Sequence, residues 1–352
     1  MQTQKHLNIG FIGCGSWARK KYLPWLSKNL RTQVVAMTLI RSDEEKKQIR
    51  DIVGAVNFYS TARKMITQQK KLRQPLDGVI VSLPHALYFT NIKTALEHKI
   101  PVLADKPAVC SSGQLNILLD ISNKNNTPFL IASQRRVYPN IIKASQLITQ
   151  KHLGHINWMR SEFTVSPYQS WTKTWRNQPS LSGLAKYRQG MMLDAGFHCL
   201  DTILMLNNYQ LPQTVFAVAN NFQSQVDVDT TAILDFGQNT FATILVSRNM
   251  PPNFSREVLS ISGHQGYFLS QIEEINYRKS AKMHLVDHQG STRNINFNLT
   301  SCARVPLVEF TKYLTHKTNN SVFTANQMIK TIRVMDAIYR SIITRQRIKF
   351  SP

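Results

Sequence analysis

LNIGFIGCGSWA, residues 7–18, limits the possible folds of this chain more than any other stretch. A short apolar run enters Gly13 and Gly15 without a break, and a helical pattern continues from there through Leu30. This is the strand, glycine-rich loop and helix order in which backbone amides cradle a phosphate. Gly13 permits a tight turn, Gly15 lets the backbone approach a pyrophosphate, and Ala18 lets the helix pack closely, with the phosphates at the helix N-terminus. Gly13, Gly15, Ser16, Trp17 and Ala18 therefore predict a dinucleotide site. The alternative is another nucleotide-like ligand on the same kind of sheet, such as a methyl donor.

The pattern repeats over the first 130 residues. Short apolar strands VVAMTLI (34–40), GVIVSL (78–83), PVLAD (101–105) and PFLIAS (128–133) alternate with helices from Asp43, over 85–98 and near 112–123. Continuous apolar strands between helices indicate a parallel sheet covered on both faces, hence a doubly wound α/β domain over 1–130. From about 150 the candidate strands lengthen and carry polar alternation, as in INWMRSEFTV, TVFAVANNF, TTAILDFG, TFATILVSR and EVLSISG. They predict an α+β domain over 131–352 built on a large, mostly antiparallel open sheet, closed by a helix at 323–345. No internal repeat or low-complexity linker separates the two.

The 352 residues include 43 Lys and Arg against 20 Asp and Glu, a formal net charge of +23. Such a field attracts anions, but the basic residues are scattered, and no zinc-finger, RNP or basic-zipper pattern accompanies them. Specific nucleic-acid binding is not expected. No apolar run is long enough to span a bilayer and the N-terminus lacks signal-peptide architecture, so a soluble, cytoplasmic protein without a membrane partner is expected. Cys14, Cys110, Cys199 and Cys302 lie far apart without ligand spacing, which predicts reduced thiols and no metal site.

Past the second strand the chain reads LIRSDEE. Arg41 and Ser42 stand where a carboxylate would bind the ribose of NAD, and they suit a 2′-phosphate, so NADP is preferred, with NAD the alternative. The bland reading is an exposed turn with Asp43 capping the next helix; a small slip in register would instead bring Asp43 to the ribose. Ser82, near the end of the GVIVSL strand, and Pro84 and His85, just past it, are expected at the cofactor. Lys106, in VLADKPAV, lies past a strand at the carboxyl end of the sheet, where ligands of such folds bind, between Asp105 and Pro107. It is either a proton-transfer group or part of an ordinary exposed turn.

GMMLDAGFHCLD (190–201) is apolar apart from Asp194, His198 and Asp201, and no Lys, Arg or Glu occurs from 191 to 208. Positions i, i+4 and i+7 fall within about 60° on an α-helix, so the three share a face. A polar stripe on a buried helix is either a satisfied structural network or a catalytic one.

GFIGCGSWARKKYLPWL, VIVSLPHALYFTNIKTALEHKIPVLADKPAV, SQRRVYP, WRNQ and GMMLDAGFHCLD, in that order, resemble the glucose-fructose oxidoreductase and inositol dehydrogenase superfamily, Gfo/Idh/MocA. The resemblance runs nearly end to end. It implies NAD(P)-dependent hydride transfer at a secondary alcohol or ketone of a sugar, cyclitol or sugar derivative. It also implies that Lys106, in an Asp-Lys-Pro instead of a Glu-Lys-Pro motif, acts with Asp194 and His198. In this reading His198 is the acid/base, Lys106 the donor to the reacting oxygen, and Asp194 the orienter or shared proton acceptor. Tyr88 replaces a histidine common in the family. Arg135, Trp175 and Lys186 join Asp194 and His198 around the substrate, and Arg176 goes to the cofactor phosphates. The resemblance further suggests a homodimer or homotetramer formed through the exposed sheet face. Lys173, Arg176, Lys186 and Arg188, in a stretch free of Asp and Glu between Phe163 and Leu193, together with Arg135 and Arg136, suggest an anionic substrate. The competing function is a dinucleotide-binding regulator without turnover.

Overall fold

The computed structural model describes residues 6–38, 42–167, 173–299, 302–316 and 321–350. The chain forms two compact units: 1–109, 113–134 and 301–327 make one, and 110–112, 135–300 and 328–352 the other. The expected single boundary at 130/131 thus differs from a division in which 301–327 returns to the first unit.

In the first unit β1 (Leu7–Ile12), β2 (Thr32–Thr38), β3 (Asn57–Tyr59), β4 (Gly78–Val81), β5 (Val102–Asp105) and β6 (Phe129–Ala132) form a parallel sheet in the order β3-β2-β1-β4-β5-β6. The interior strands are apolar throughout because helices cover both faces; Ile9, Phe11, Val79, Ile80, Leu103 and Ile131 are buried. The strand order reverses between β1 and β4, so a crevice opens outside their carboxyl ends. The late helix Val305–His316 joins this unit. Phe310 packs so close to Gly78 that a Cβ there would stand 2.7 Å from its ring, and Ile131 donates its N–H to Phe323 at 2.8 Å.

The second unit carries β7 (Ile156–Val165), β8 (Thr214–Asn220), β9 (Asp229–Gly237), β10 (Thr240–Ser247), β11 (Phe254–Gly263), β12 (Gly266–Ile275), β13 (Arg278–Asp287), β14 (Thr292–Asn296) and β15 (Ile348–Lys349). They form one sheet in the order β14-β13-β12-β11-β7-β10-β9-β8-β15, antiparallel except where β7 meets β10. Alternation sends Ala232, Leu234, Ala242, Ile244, Leu259 and Ile261 to a buried face. Helices Pro139–Thr149, Phe197–Leu206 and Ile329–Thr344 also belong to this unit. The opposite face exposes Phe216, Val218, Ile233 and Phe241, with Phe216 and Ile233 paired across strands. β13 and β14 were not legible in advance, since their sequences carry few buried residues.

Candidate active site

In the first unit the turn after β1 is specific to glycine. Gly13 has φ +74°, and a Cβ would lie 2.3 Å from Leu83 Cδ2 and 2.6 Å from the Ser82 carbonyl oxygen. Gly15 differs: a Cβ there would meet nothing within 4 Å, so its backbone faces open space. Arg19 N–H donates to Gly15 O at 3.1 Å as the helical segment begins. Gly15 and Ser16 are exposed, Trp17 sets its ring edge-on to Tyr22, and Ala18 is fully buried. Burial pushes the Cys14 thiol up to about 12, so the loop carries no thiolate to repel a phosphate. These are the features a pyrophosphate requires: an open backbone cradle and no opposing negative charge.

Ser42 caps helix Asp43–Val53, its hydroxyl accepting from Glu45 N–H at 3.1 Å. The cap is thus Ser42 and not Asp43, which is exposed and paired with Lys46. Arg19 reaches Glu45 at 3.3 Å, bringing a cation from the phosphate helix close to Ser42 that the sequence reading had not singled out. Arg41 lies outside the described residues. Ser82 is buried and donates its N–H to Ile12 O at 3.0 Å, and Pro84 precedes a short turn that begins at the buried His85. Lys106 follows β5, half-buried, and its own N–H donates to Asp105 Oδ1 at 3.0 Å. Every described cofactor candidate except Arg176 therefore gathers at the carboxyl ends of β1, β2, β4 and β5.

In the second unit the GMMLDAGFHCLD segment is not one regular helix. A π-helical turn, Met192–Gly196, leads into the α-helix Phe197–Leu206, and such turns concentrate at functional sites. A helix N-terminus leaves backbone N–H groups without intrahelical acceptors. Here Asp227 accepts from Gly190 N at 2.6 Å and Met192 N at 2.7 Å, while Tyr339 Oη accepts from Leu193 N at 3.0 Å and donates to Asp227 at 2.9 Å. Burial holds the Asp227 carboxyl above its ordinary range despite these hydrogen bonds.

The three polar residues take different partners. Asp194 accepts from Arg176 Nε at 2.9 Å, and Arg248 approaches it at 3.7 Å. Asp201 belongs to a structural network: Arg136 donates to both its oxygens, at 2.8 and 2.6 Å, and Thr331 donates at 3.1 Å. His198, buried, lines a cavity of about 30 Å³ on the inner face of the sheet together with Arg135, Asn140, Ser161, Glu257 and Ser270. Arg135 donates to Glu257 at 2.7 Å and stacks over Phe163 at 4.8 Å.

The remaining candidates are placed less simply. Arg176, expected at the cofactor phosphates, donates to Asp194 at 2.9 Å and stacks on Trp175 at 4.4 Å. Lys186 lies over the Tyr187 ring at 4.7 Å. Arg188 donates to Gln225 O at 2.7 Å. Of the cations that suggested an anionic substrate, Arg135, Arg136, Arg176 and Arg188 all serve internal acceptors. Asp227, Tyr339, Arg248 and Glu257 were missed. An acid between valines in QVDVDTT and another in REVLSISG were the available signals, each a charge inside an apolar strand pattern. Among the described residues no group of three or more His, Cys, Asp or Glu is placed to hold a metal, and no helix is long and apolar enough to cross a membrane.

Residues 7–133 match the profile of the oxidoreductase family with an NAD-binding Rossmann fold, and residues 141–269 that of the GFO/IDH/MocA C-terminal domain. The chain belongs to the Gfo/Idh/MocA family. Its first unit is accordingly an NAD(P)-binding Rossmann domain. Over 304 residues it is 21% identical to D-xylose 1-dehydrogenase [NADP(+)] of Haloarcula marismortui, covering 84% of this chain and 80% of that one. Over 191 residues it is 25% identical to trans-1,2-dihydrobenzene-1,2-diol dehydrogenase of Xenopus laevis, covering 53% and 55%. The chain thus spans about half the length of that relative. A 3-ketoreductase from Actinomadura kijaniata, solved with NADP and TDP-benzene, superposes with a TM-score of 0.81 at 17% identity over 96% of this chain and 98% of the other. Aldose-aldose oxidoreductase from Caulobacter crescentus, solved with glycerol, gives 0.80 at 18% identity over 98% and 100%. At these identities the Gfo/Idh/MocA structures establish the shared fold.

Proposed function

We propose that this protein is an NADP-preferring oxidoreductase that interconverts a secondary alcohol and a ketone on a sugar, cyclitol or sugar derivative. The observation that carries the reading is the buried His198, one turn from an arginine-held Asp194 on a helix whose N-terminus is clamped by Asp227 and Tyr339. The nicotinamide, when bound, supplies the hydride chemistry. Gly13, Gly15, Ser16, Trp17 and Ala18 would hold the pyrophosphate of the dinucleotide, with Ser82, Pro84 and His85 contributing to the same site, and Arg41, Ser42 and Arg19 would serve a 2′-phosphate.

The protein's own task is the proton. His198 takes it from the substrate hydroxyl during oxidation and returns it during reduction, as an imidazole, which both accepts and donates a proton, can. Lys106 donates a hydrogen bond to the reacting oxygen. With Arg176 donating to it, Asp194 serves as the orienting carboxylate. Names among the relatives, D-xylose 1-dehydrogenase and dTDP-3,4-didehydro-2,6-dideoxy-alpha-D-glucose 3-reductase, support a sugar-like substrate. The cluster of Lys173, Lys186, Arg135, Arg136, Arg176 and Arg188 favours an anionic sugar derivative, with the four arginines also serving internal acceptors. Assembly as a homodimer or homotetramer through Phe216, Val218, Ile233 and Phe241 completes the reading.

The test follows nicotinamide absorbance across aldoses, cyclitols, sugar acids and nucleotide-linked keto-sugars at low and high salt. Turnover should be higher with NADPH or NADP+ than with NADH or NAD+, and Arg41→Ala should narrow the gap. Lys106→Met and His198→Asn should each lower turnover at least about a hundredfold with cofactor affinity comparatively intact. Tight NADPH binding without turnover on any of these compounds supports the regulator instead, and near-normal turnover in both variants refutes the catalytic assignment.

A further inference from the structure

Behind His198 lies a polar space that the proposed chemistry leaves unused. Its volume of about 30 Å³ is room for roughly two water molecules, each of which needs at least about 10–15 Å³. Two buried polar atoms on its walls, Asn140 Oδ1 and Arg135 Nε, have no hydrogen-bond partner among the described residues. Asn140 is only 4% exposed, and its Nδ2 is already given to Ser270 Oγ at 3.0 Å. Both belong to residues that line the cavity, and a polar space of this size has room for the water that buried polar groups use as partner.

We propose that this cavity holds water joining His198 to the Glu257–Arg135 pair, and that Glu257 relays the proton His198 exchanges with substrate. This rests on the reading of His198 as the acid/base. During oxidation the hydroxyl proton passes to the imidazole as hydride leaves the carbon. The imidazolium then passes its proton through water to the Glu257 carboxylate, and the carboxyl group releases it to solvent. Reduction runs the same transfers backwards. The Glu257 side chain retains 22% exposure, so the relay has an exit.

The surroundings suit a transient acceptor. Burial raises the Glu257 carboxyl above its ordinary range and Arg135 opposes that rise, so it accepts a proton more readily than an exposed carboxylate. The titratable and charged groups around it are Arg135 and Tyr138 from the 135–138 segment, His198 and Cys199 from the helix, and Glu162 from β7. Glu162 is paired with Arg160. Burial pushes the Cys199 thiol to about 11, so it stays protonated and does not compete. The helix Pro139–Thr149 and β12 contribute Asn140, Ile141, Ser270 and Ile272 to the walls, none of them titratable. Glu257 is a positioning residue in this scheme, acting on substrate only through His198.

Histidine side-chain NMR on the full chain reads the coupling without any ligand. In Glu257→Gln the His198 pKa should fall by about one unit, because the carboxylate that favours the imidazolium has gone while Arg135 remains. Glu257→Asp should restore most of it. In the unaltered protein the carboxyl carbon of Glu257 and the imidazole of His198 should titrate together, each curve showing the other's inflection. Independent curves there, or an unmoved His198 pKa in a folded Glu257→Gln, would overturn the relay. If His198→Asn retains turnover while the coupling is seen, the catalytic reading fails and the coupling stands.

Discussion

Replacing Asp201 with Asn tests the division of the polar stripe. Asp201 and Arg136 side chains are each 2% exposed, joined by two charge-assisted hydrogen bonds of 2.8 and 2.6 Å. Met328 Sδ at 3.0 Å and the Tyr209 ring at 5.4 Å enclose the same guanidinium. Asp201→Asn therefore leaves a positive charge buried with no anion opposite it, which costs about 3–5 kcal/mol. At about 2–4 °C per kcal/mol for a unit of this size, the melting transition should fall by about 6–20 °C. Calorimetry measures this directly. The double variant Asp201→Leu with Arg136→Met should recover most of the loss, since well-packed apolar residues often replace a buried pair at little cost. A salt concentration near 1 M, where the screening length is about 3 Å, should leave the penalty unchanged because no solvent enters the pair. A shift under about 1 kcal/mol, or a double variant no better than the single one, would show that Asp201 is not structurally committed and belongs with His198 after all.

Two further outcomes separate binding from folding and fix one pH dependence. Gly15→Ala adds a Cβ that meets nothing within 4 Å, so the melting temperature should hold while NADPH affinity drops by tenfold or more, about 1.4 kcal/mol; calorimetric titration beside a melting curve decides it, and unchanged affinity would clear Gly15 of any role in the cradle. Burial raises the Asp336 carboxyl above its ordinary range although it accepts from both Ser112 N–H and Oγ–H. A raised acid contributes stability that is whole below its unfolded pKa, about 3.9, and is lost as pH climbs through the folded value. Urea midpoints should accordingly decline less with rising pH from about 4 upward in Asp336→Asn than in the unaltered protein, and identical slopes would refute the sign.

The Rossmann half could be read from sequence because its strands are buried on both faces and so appear as unbroken apolar runs, as in GVIVSL. INWMRSEFTV was equally legible, with both ends of β7 where the pattern put them. β13 could not be, since RKSAKMHLVD sits near the sheet edge with Met283 its only buried residue. The site was half visible. Asp194 and His198 stood out as polar groups in an apolar run, but grouping Asp194 with the other two assumed 3.6 residues per turn throughout, and the π turn at Met192–Gly196 breaks that phase between Asp194 and the α-helix that carries His198 and Asp201. Their partners come from far along the chain, as Arg136 and Thr331 do for Asp201, and side-chain spacing within one helix carries no trace of them. Glu257 and Asp227 belong to the same class, single charges whose meaning appears only once strands are aligned.

The late return of 301–327 to the first unit bears on how the chain is made. On the ribosome, the cofactor-binding sheet is complete by Ala132, yet Phe310, which packs on Gly78, and Phe323, which accepts the Ile131 N–H, emerge only after β14 has been synthesised. Until then the β4 and β6 sites that they occupy lack this cover. The first unit must therefore wait, partly built, for most of its neighbour to be translated. A gene truncated after residue 134 would encode every strand of the nucleotide-binding sheet and still yield a nascent chain prone to capture by chaperones or proteases.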